Sequence, residues 1–267
     1  MLVACSRLYD VNAAAREAWW TLFSVIADRS NVDLRPISHN ASLQELWRRD
    51  DLGCTFMCGF PWVASGRQHP AIAAPVPLDS RSEDRPHYVS DYVVLDKSPI
   101  ASMSQASGRT IGWSVQHSQS GFHAPRRHLM GLKSDQGGTL FARSVGPLHT
   151  PKGSLEALDR GVVDVVAIDS LYFRIGQLTD PGSFGRYRSI GHTPPRPMPL
   201  FVASPDVPAS KVRALRQAVC ALHSETTTAH LLAKLGIARF ARVNPRSYDI
   251  IRDEAAECDS FGIEAPV

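Results

Sequence analysis

The sequence contains no apolar run long enough to span a bilayer. Its first residues also lack the basic segment followed by an apolar segment that marks a secretory signal peptide. Lysine and arginine are scattered without a dense stripe, and the formal net charge is only +3. Binding to nucleic acid would call for a more concentrated positive charge. These absences predict a protein that neither crosses a membrane nor binds nucleic acid.

Cysteines are also few and irregularly spaced. The five are Cys5, Cys54, Cys58, Cys220 and Cys258. An odd number with scattered spacing argues against a disulfide framework. No second Cys/His pair accompanies Cys54 and Cys58 at the spacing of a metal site. We therefore expect no metal site, and no feature of the sequence calls for a cofactor.

What is present is a chain of 267 residues with the composition of a soluble globular protein. Short apolar strands alternate with amphipathic helices, which predicts an α/β fold. The clearest helix follows Asn12, and its apolar face consists of Ala15, Trp19, Leu22, Phe23 and Ile26. The apolar run Val162–Ile168 is typical of a central, buried parallel strand.

Two segments are expected to be irregular. Cys58-Gly59-Phe60-Pro61 follows the predicted strand Leu52–Met57, and the glycine and proline predict a tight turn there. The segment Ala64–Pro86 is rich in proline, serine and charge. That composition predicts a long surface connection with room for one strand.

The predicted elements form two α/β blocks, separated near residues 88–95 and again near 192–200. The simplest arrangement sends the chain out to a second lobe and back. We expect residues 1–91 and 199–267 to form one lobe and residues 92–198 the other. Two hinge crossings would join the lobes, and a central cleft would lie between them.

The stretch Gly112–Leu129 carries the strongest sign of a binding site. It contains a strand, the turn Ser118-Gln119-Ser120-Gly121, and the start of a helix. The first N–H groups of a helix lack internal partners, and the helix dipole adds positive charge there, so such a turn can hold an anion. The alternative is that a serine only caps its own helix. Asp169 follows a strand at the same sheet edge.

Several motifs, taken together, resemble those of a known family. They are Leu8-Tyr9-Asp10, Cys58-Gly59-Phe60-Pro61, Ser118-Gln119-Ser120-Gly121-Phe122, Ala167-Ile168-Asp169-Ser170, Thr193-Pro194-Pro195 with Pro199-Leu200, and Tyr248-Asp249. Along nearly its whole length the chain resembles the phosphate/phosphonate-binding group of solute-binding proteins of ABC transporters. That group has the two-lobed type II periplasmic-binding-protein fold.

The resemblance implies roles for residues of the second lobe. Ser118, Ser120 and the amide of Gly121 would hold the anionic group of a ligand. Asp169 would accept hydrogen bonds from a ligand hydroxyl or amine. His149 lies near a histidine of the family that precedes a helix, although its spacing to that helix differs.

The first lobe would contribute two further residues. Tyr9 would close over the ligand, and Gly59 would let the backbone approach the pocket. The chain departs from the family just before the Ser-x-Ser-Gly turn, where His117 stands in place of the usual aspartate. His117 removes a negative charge beside the expected anion site, and protonation would add a positive one.

The resemblance also implies a function. The protein would capture a small oxyanion, such as phosphate, a phosphonate or a phosphate ester, for an ABC importer. Its partners would be this ligand and an ABC permease of the inner membrane. It would work as a monomer in the periplasm, without a cofactor and without catalysis.

Two alternatives remain open at this point. The first is a cytoplasmic enzyme on the same fold, because fold does not fix function and no signal peptide is evident. His117, His123, His149 and Asp169 would then supply acid/base groups, and Cys58 a nucleophile. The second is a sensor that reports the ligand to a partner protein.

Overall fold

The computed structural model describes residues 1–132 and 138–267. Within these ranges the chain forms β-strands in two large sheets and one small one. The strands are β1 (Leu2–Cys5), β2 (Leu34–Pro36), β3 (Leu52–Met57), β4 (Ala71–Pro77), β5 (His87–Tyr88), β6 (Ser90–Leu95), β7 (Thr110–Gly112), β8 (Arg143–Val145), β9 (Val165–Asp169), β10 (Tyr187–His192), β11 (Arg196–Pro197), β12 (Leu200–Val202) and β13 (Ile237–Ala241).

Helices connect most of these strands. They are α1 (Ala13–Ser30), α2 (Leu43–Trp47), α3 (Gly59–Ala64), α4 (Ala124–Leu129), α5 (Pro151–Asp159), α6 (Ser170–Thr179), α7 (Pro181–Phe184), α8 (Ala209–Cys220), α9 (Thr226–Lys234) and α10 (Asp249–Ser260). A π-helical turn, Gln119–His123, leads directly into α4. No helix in the described ranges has the length and apolar character needed to cross a membrane.

The two large sheets define two lobes. Lobe 1 is built on a six-stranded sheet with the order β13-β4-β12-β3-β1-β2, and lobe 2 on a five-stranded sheet with the order β10-β6-β9-β7-β8. β9 lies at the centre of its sheet, parallel to β7 and antiparallel to β6. The predicted central position of the Val162–Ile168 run is therefore correct, and two α/β blocks are present.

The chain passes between the lobes twice, along neighbouring paths. β5 and β11 pair antiparallel to form the small third sheet. Just beyond them, Ser90 and Thr193 exchange hydrogen bonds, from the Thr193 N–H to the Ser90 carbonyl and from the Ser90 N–H to Thr193 Oγ1, each 3.0 Å long. The lobe boundaries at residues 91/92 and 198/199 stay a prediction.

The core of lobe 1 is aromatic. Trp19 and Phe23 of α1 pack on Phe56 of β3 and Phe201 of β12, and the rings of Phe56 and Phe201 stack with centroids 4.0 Å apart. The predicted apolar face of α1 is buried along its whole length. The Asn12 side chain caps this helix by accepting from the Ala15 N–H. The sequence interpretation of α1 is confirmed.

One local prediction was wrong, and a second was right only in part. The motif Cys58-Gly59-Phe60-Pro61 does not form a tight turn, because helix α3 begins at Gly59 with Cys58 as its N-cap. Pro61 is tolerated there because first-turn N–H groups have no partner in the helix. The segment Ala64–Pro86 contains the one strand that the sequence allowed, but this strand, β4, is a buried interior strand between β13 and β12 and not part of a surface connection. Its prolines lack an N–H, and they coincide with an irregular pairing to β13.

Candidate functional site

A cavity lies between the lobes, at the edge where β9 and the first turn of the π-helix meet lobe 1. The volume of this cavity that the centres of water-sized molecules can occupy is about 70 Å³. That space is well above the minimum needed to hold one water molecule. Its lining consists of Leu8, Tyr9, Leu43, Trp47, Cys58, Ser114, Val115, His117, Ser118, Ser120, His149, Pro151, Asp169, Tyr172 and Pro199.

Most of the residues expected from the sequence lie on this lining. They are Tyr9, Ser118, Ser120, His149 and Asp169. The other two expected residues, Gly59 and Gly121, lie outside it. Gly59 packs against α10, since a Cβ on Gly59 would meet Ile251 Cδ1 at 2.5 Å.

The serine turn is built as an N-terminal helix cap. Ser118 Oγ accepts from the Gly121 N–H at 3.0 Å, and the Ser118 carbonyl accepts from the His123 N–H at 3.1 Å. Gly121 is required because a Cβ there would collide with Ser114 Oγ. The alternative in which a serine caps its own helix is therefore correct for the Ser118 side chain. Ser120 lies in the same first turn and lines the cavity.

A thiol from lobe 1 sits against the same helix start. Cys58 Sγ accepts from the Gln119 N–H at 3.4 Å. Burial raises the pKa of Cys58 to about 11, so the thiol stays protonated near neutral pH. This shift is opposite to the one that makes a cysteine a nucleophile. Cys58 therefore gives no support to the catalytic alternative.

Asp169 joins the two lobes at the cavity wall. Its Oδ1 caps α6 by accepting from the N–H groups of Leu171 at 2.8 Å and Tyr172 at 3.1 Å. Its Oδ2 accepts from the hydroxyl of Tyr9, in lobe 1, at 3.0 Å. Burial raises the pKa of Asp169 to about 6, against the lowering effect of these three donors.

His117 makes a second contact across the cleft. Its Nε2 lies 2.9 Å from Nε2 of Gln44 on α2, in lobe 1. The same Gln44 nitrogen lies 3.2 Å from His117 Nδ1, and because an amide nitrogen only donates, the contact favours a neutral imidazole that accepts at one ring nitrogen. Burial lowers the pKa of His117, which agrees with the neutral form. His117 therefore contacts lobe 1 across the cleft, and its lowered pKa disfavours a positive charge there.

The other two histidines differ in position. His149 has φ of 66° just before α5, and its N–H donates to the Ser114 carbonyl at 2.9 Å. His123 does not line the cavity; its ring stacks on Phe60 with centroids 3.6 Å apart. Burial, with Arg126 adding to the effect, lowers the pKa of His123 to about 3. His123 therefore packs lobe 2 against α3.

Sequence reasoning missed two polar residues of this region. Ser114 lines the cavity just after β7. The Tyr88 hydroxyl is buried beside Ser120, one residue position behind the cavity lining, which does not include Tyr88 itself. No spacing rule in the sequence connects Tyr88 with Ser120.

Metal binding has no visible basis in the described ranges. No group of three or more His, Cys, Asp or Glu side chains there could hold a metal ion. The polar atoms of the cavity are mainly hydroxyls, imidazoles and one carboxylate. Such a set suits hydrogen bonding to a small polar ligand.

Comparisons with known proteins agree with this architecture. The sequence model of a family described as "ABC transporter, phosphonate, periplasmic substrate-binding protein" matches residues 13–248. No curated protein sequence matches the chain at a significant level.

Solved structures share the fold at low sequence identity. PhnD1 from Prochlorococcus marinus, in complex with methylphosphonate, is 16% identical with a TM-score of 0.74, over 97% of this chain and 98% of that one. A binding-protein component of an ABC phosphonate transporter from Pseudomonas aeruginosa is 14% identical with a TM-score of 0.70, over 98% of both chains. The aliphatic sulphonate-binding protein SsuA from Escherichia coli is 14% identical with a TM-score of 0.60, over 98% and 87%. The expected two-lobed α/β fold is confirmed.

Proposed function

The chain belongs to the family of periplasmic substrate-binding proteins of ABC phosphonate transporters, and on that premise we propose that it captures a small oxyanion in the cleft between its lobes. The ligand class is phosphate, a phosphonate or a phosphate ester. The observation that carries the proposal is the placement of Ser118 and Ser120, at the start of a helix, on the wall of an interlobe cavity.

The helix start supplies what an oxyanion needs. Hydroxyl and backbone N–H groups converge there, and the helix dipole adds partial positive charge. Ser120 and Ser114 offer hydroxyls, while the Gly121 amide is already used by Ser118 Oγ. Gly121 therefore supports the turn, and the Gln119 N–H is taken by Cys58 Sγ, so the direct contacts come from the hydroxyls of Ser114, Ser118 and Ser120.

Capture requires contacts from both lobes, because a ligand shifts a conformational equilibrium only by its differential affinity. Lobe 1 contributes Tyr9 and Cys58 to the lining, and lobe 2 contributes the serines, His149 and Asp169. The bond between Tyr9 and Asp169 holds the lobes together beside the ligand. Asp169 in its protonated form would tolerate a neighbouring oxyanion better than its carboxylate.

The family gives the cellular setting of the proposal. The protein would work as a monomer in the periplasm and hand its ligand to an ABC permease of the inner membrane. Residues 1–91 with 199–267 and residues 92–198 would move as the two lobes around the paired crossings. Gly59 would help by seating α3 against α10, and catalysis forms no part of the proposal.

Thermal unfolding with a panel of anions tests this function. Phosphate, methylphosphonate and methanesulfonate are compared with sodium chloride at equal ionic strength. A ligand that binds only the folded state raises the melting temperature with its concentration. We expect such a rise with phosphate or methylphosphonate and none with chloride. No rise with any oxyanion, or a rise with methanesulfonate alone, would contradict the proposal.

A further inference from the structure

Arg126, in the first turn of α4, is a buried charged residue that oxyanion capture does not use directly. The residue is 5% exposed, and it does not line the cavity. Burying an ionised side chain is costly unless its charge is paired and its donors are hydrogen-bonded. The partners of Arg126 therefore indicate what this buried charge does.

The donors of Arg126 converge on the C-terminal end of α10, which packs on α3 of lobe 1. Nη2 donates to the Ala255 carbonyl at 3.0 Å, and Nη1 donates to the Ile263 carbonyl at 3.2 Å. Nη1 also pairs with Asp259 Oδ1 at 2.9 Å. The carbonyl end of a helix carries partial negative charge, so a cation is favourable there. The planar fork of a guanidinium can serve these three oxygens together.

The same guanidinium also contacts the π-helical turn that follows Ser118. Its Cζ atom lies 5.2 Å from the centroid of the Phe122 ring, and its Nη2 lies 3.4 Å from Nδ1 of His123. The His123 N–H in turn donates to the Ser118 carbonyl at 3.1 Å. Arg126 therefore connects the end of α10 with the residues that close the serine turn.

Two neighbouring contacts hold this segment against lobe 1, and both are weaker. The Gln119 N–H donates to Cys58 Sγ at 3.4 Å, and sulfur is a weak acceptor. Arg127 Nε donates to Glu257 Oε2 at 2.8 Å, but both side chains are about one-third exposed and solvent screens their attraction. Arg126 is buried and makes several charged hydrogen bonds, so it should contribute most to the anchoring.

We propose that Arg126 is a positioning residue for oxyanion capture: by binding the C-terminal end of α10, it holds the serine turn against lobe 1 in the geometry that receives the anion. The inference rests on the proposed function, because it assumes that the oxyanion lies at the serine turn. Arg126 acts through that turn and does not contact the ligand.

Titration calorimetry of Arg126→Gln with methylphosphonate, or with phosphate if the wild type binds only phosphate, tests this role. Glutamine loses the charge and cannot serve three oxygens, so we expect binding at least tenfold weaker than in the wild type. Arg188→Gln is the matched control, because Arg188 Nη2 donates to the carbonyls of Ser98 at 2.7 Å and Ile100 at 2.8 Å within lobe 2. The control should bind like the wild type. Wild-type affinity in Arg126→Gln would overturn the proposal.

A double-mutant cycle distinguishes positioning from a general loss of stability. If Arg126 acts through the serine turn, the Ser120 hydroxyl contributes less to binding once Arg126 is replaced. The double variant Arg126→Gln/Ser120→Ala should therefore bind at least threefold more tightly than the product of the two single losses predicts. Independent effects multiply. A double variant whose affinity equals that product would refute a role through the turn.

A milder variant tests the same role if Arg126→Gln does not fold. The Asp259 side chain is 69% exposed, so Asp259→Lys leaves the core intact, and a lysine is favourable at the C-terminal end of a helix. The new charge repels Arg126, and we expect binding at least threefold weaker. Asp253→Lys, at an exposed aspartate of α10 that pairs with Arg252, changes the net charge equally and should keep the wild-type affinity. Equal affinities of the two lysine variants would contradict the proposal.

The outcomes separate this inference from the function on which it rests. If the wild type binds the anion and the Arg126 and Asp259 variants bind it equally well, the positioning role is wrong and oxyanion capture stands. If the wild type binds neither methylphosphonate nor phosphate, oxyanion capture is wrong and the positioning role fails with it.

Discussion

The hydroxyl of Tyr9 donates to Oδ2 of Asp169 at 3.0 Å, across the cleft between the two lobes. Tyr9 belongs to the 3₁₀ turn Arg7–Tyr9 of lobe 1, whereas Asp169 ends β9 in lobe 2. Both side chains are buried. This bond therefore connects the first cavity-lining segment of the chain with the cap of α6. Because the Tyr9 hydroxyl also lowers the pKa of Asp169, the contact between the lobes affects the charge of this carboxyl group.

Removing this hydroxyl should favour the open cleft. Tyr9→Phe loses an interlobe hydrogen bond to a buried carboxyl group, worth about 1–3 kcal/mol. We expect the ligand-free variant to show a larger radius of gyration than the wild type in small-angle X-ray scattering.

A matched control exists within lobe 2. The Tyr187 hydroxyl donates to Asp159 Oδ2 at 2.7 Å. Tyr187→Phe therefore also removes a tyrosine–aspartate hydrogen bond, but this bond lies within one lobe. The radius of gyration of this variant should equal that of the wild type. Equal radii for the wild type and Tyr9→Phe would refute the role of the Tyr9 bond in closure.

The raised pKa of Asp169 predicts a pH dependence of stability. The carboxyl titrates near 3.8 when unfolded and near 6 when folded, so the native state binds the proton more tightly. Its contribution to stability is present below pH 4 and is lost as the pH rises through 6, by about 3 kcal/mol in total.

Urea unfolding of the wild type and of Asp169→Asn, between pH 4 and pH 8, measures this contribution. Asparagine keeps the side-chain shape and the ability to cap α6, but it does not titrate. The stability of the wild type relative to the variant should fall between pH 4 and pH 6 and then stay level. A difference that rises with pH would mean that the pKa is lowered by folding.

Gly121 should resist substitution for a steric reason. A Cβ at this position would collide with Ser114 Oγ and lie 3.2 Å from Ser118 Oγ. We expect Gly121→Ala to lower the free energy of unfolding in urea by about 1–3 kcal/mol through overpacking. The double variant Gly121→Ala/Ser114→Gly should recover most of this loss.

The control for this prediction is Gly131→Ala. The nearest atom to a Cβ on Gly131 is the His128 carbonyl oxygen at 3.7 Å, an ordinary contact. That variant should match the wild type within about 1 kcal/mol. If Ser114→Gly gives no recovery in the double variant, the collision is not the cause.

Local patterns in the sequence predicted the elements whose structure depends on neighbouring residues. The apolar face of α1, its Asn12 cap and the apolar run of β9 can be predicted from periodicity and side-chain chemistry alone. The Ser118 turn was also predictable as a helix start. A strand was allowed in the segment of β4, but its buried interior position was not predicted, because Pro75 and Pro77 look like breaks until β12 and β13 are seen to pair on both sides.

The cavity depends on contacts between distant parts of the chain. Tyr9 and Asp169 are 160 residues apart, and Gln44 and His117 are 73 apart. No local pattern connects such pairs, so only the family resemblance placed Tyr9 and Asp169 in one site. Tyr88 and the apolar residues of the lining, such as Leu43, carry no motif, and their positions became visible only in the folded chain.

Titration calorimetry of methylphosphonate with Ser120→Ala tests the central claim most directly. Ser120 offers its hydroxyl at the start of the helix, and losing a hydrogen bond to a charged ligand should weaken binding by about 1–3 kcal/mol. The control is Ser104→Ala, at an exposed serine outside the lining, which should bind like the wild type. One binding site per chain with the expected weakening would support oxyanion capture at the serine turn. Unchanged affinity in Ser120→Ala would contradict it.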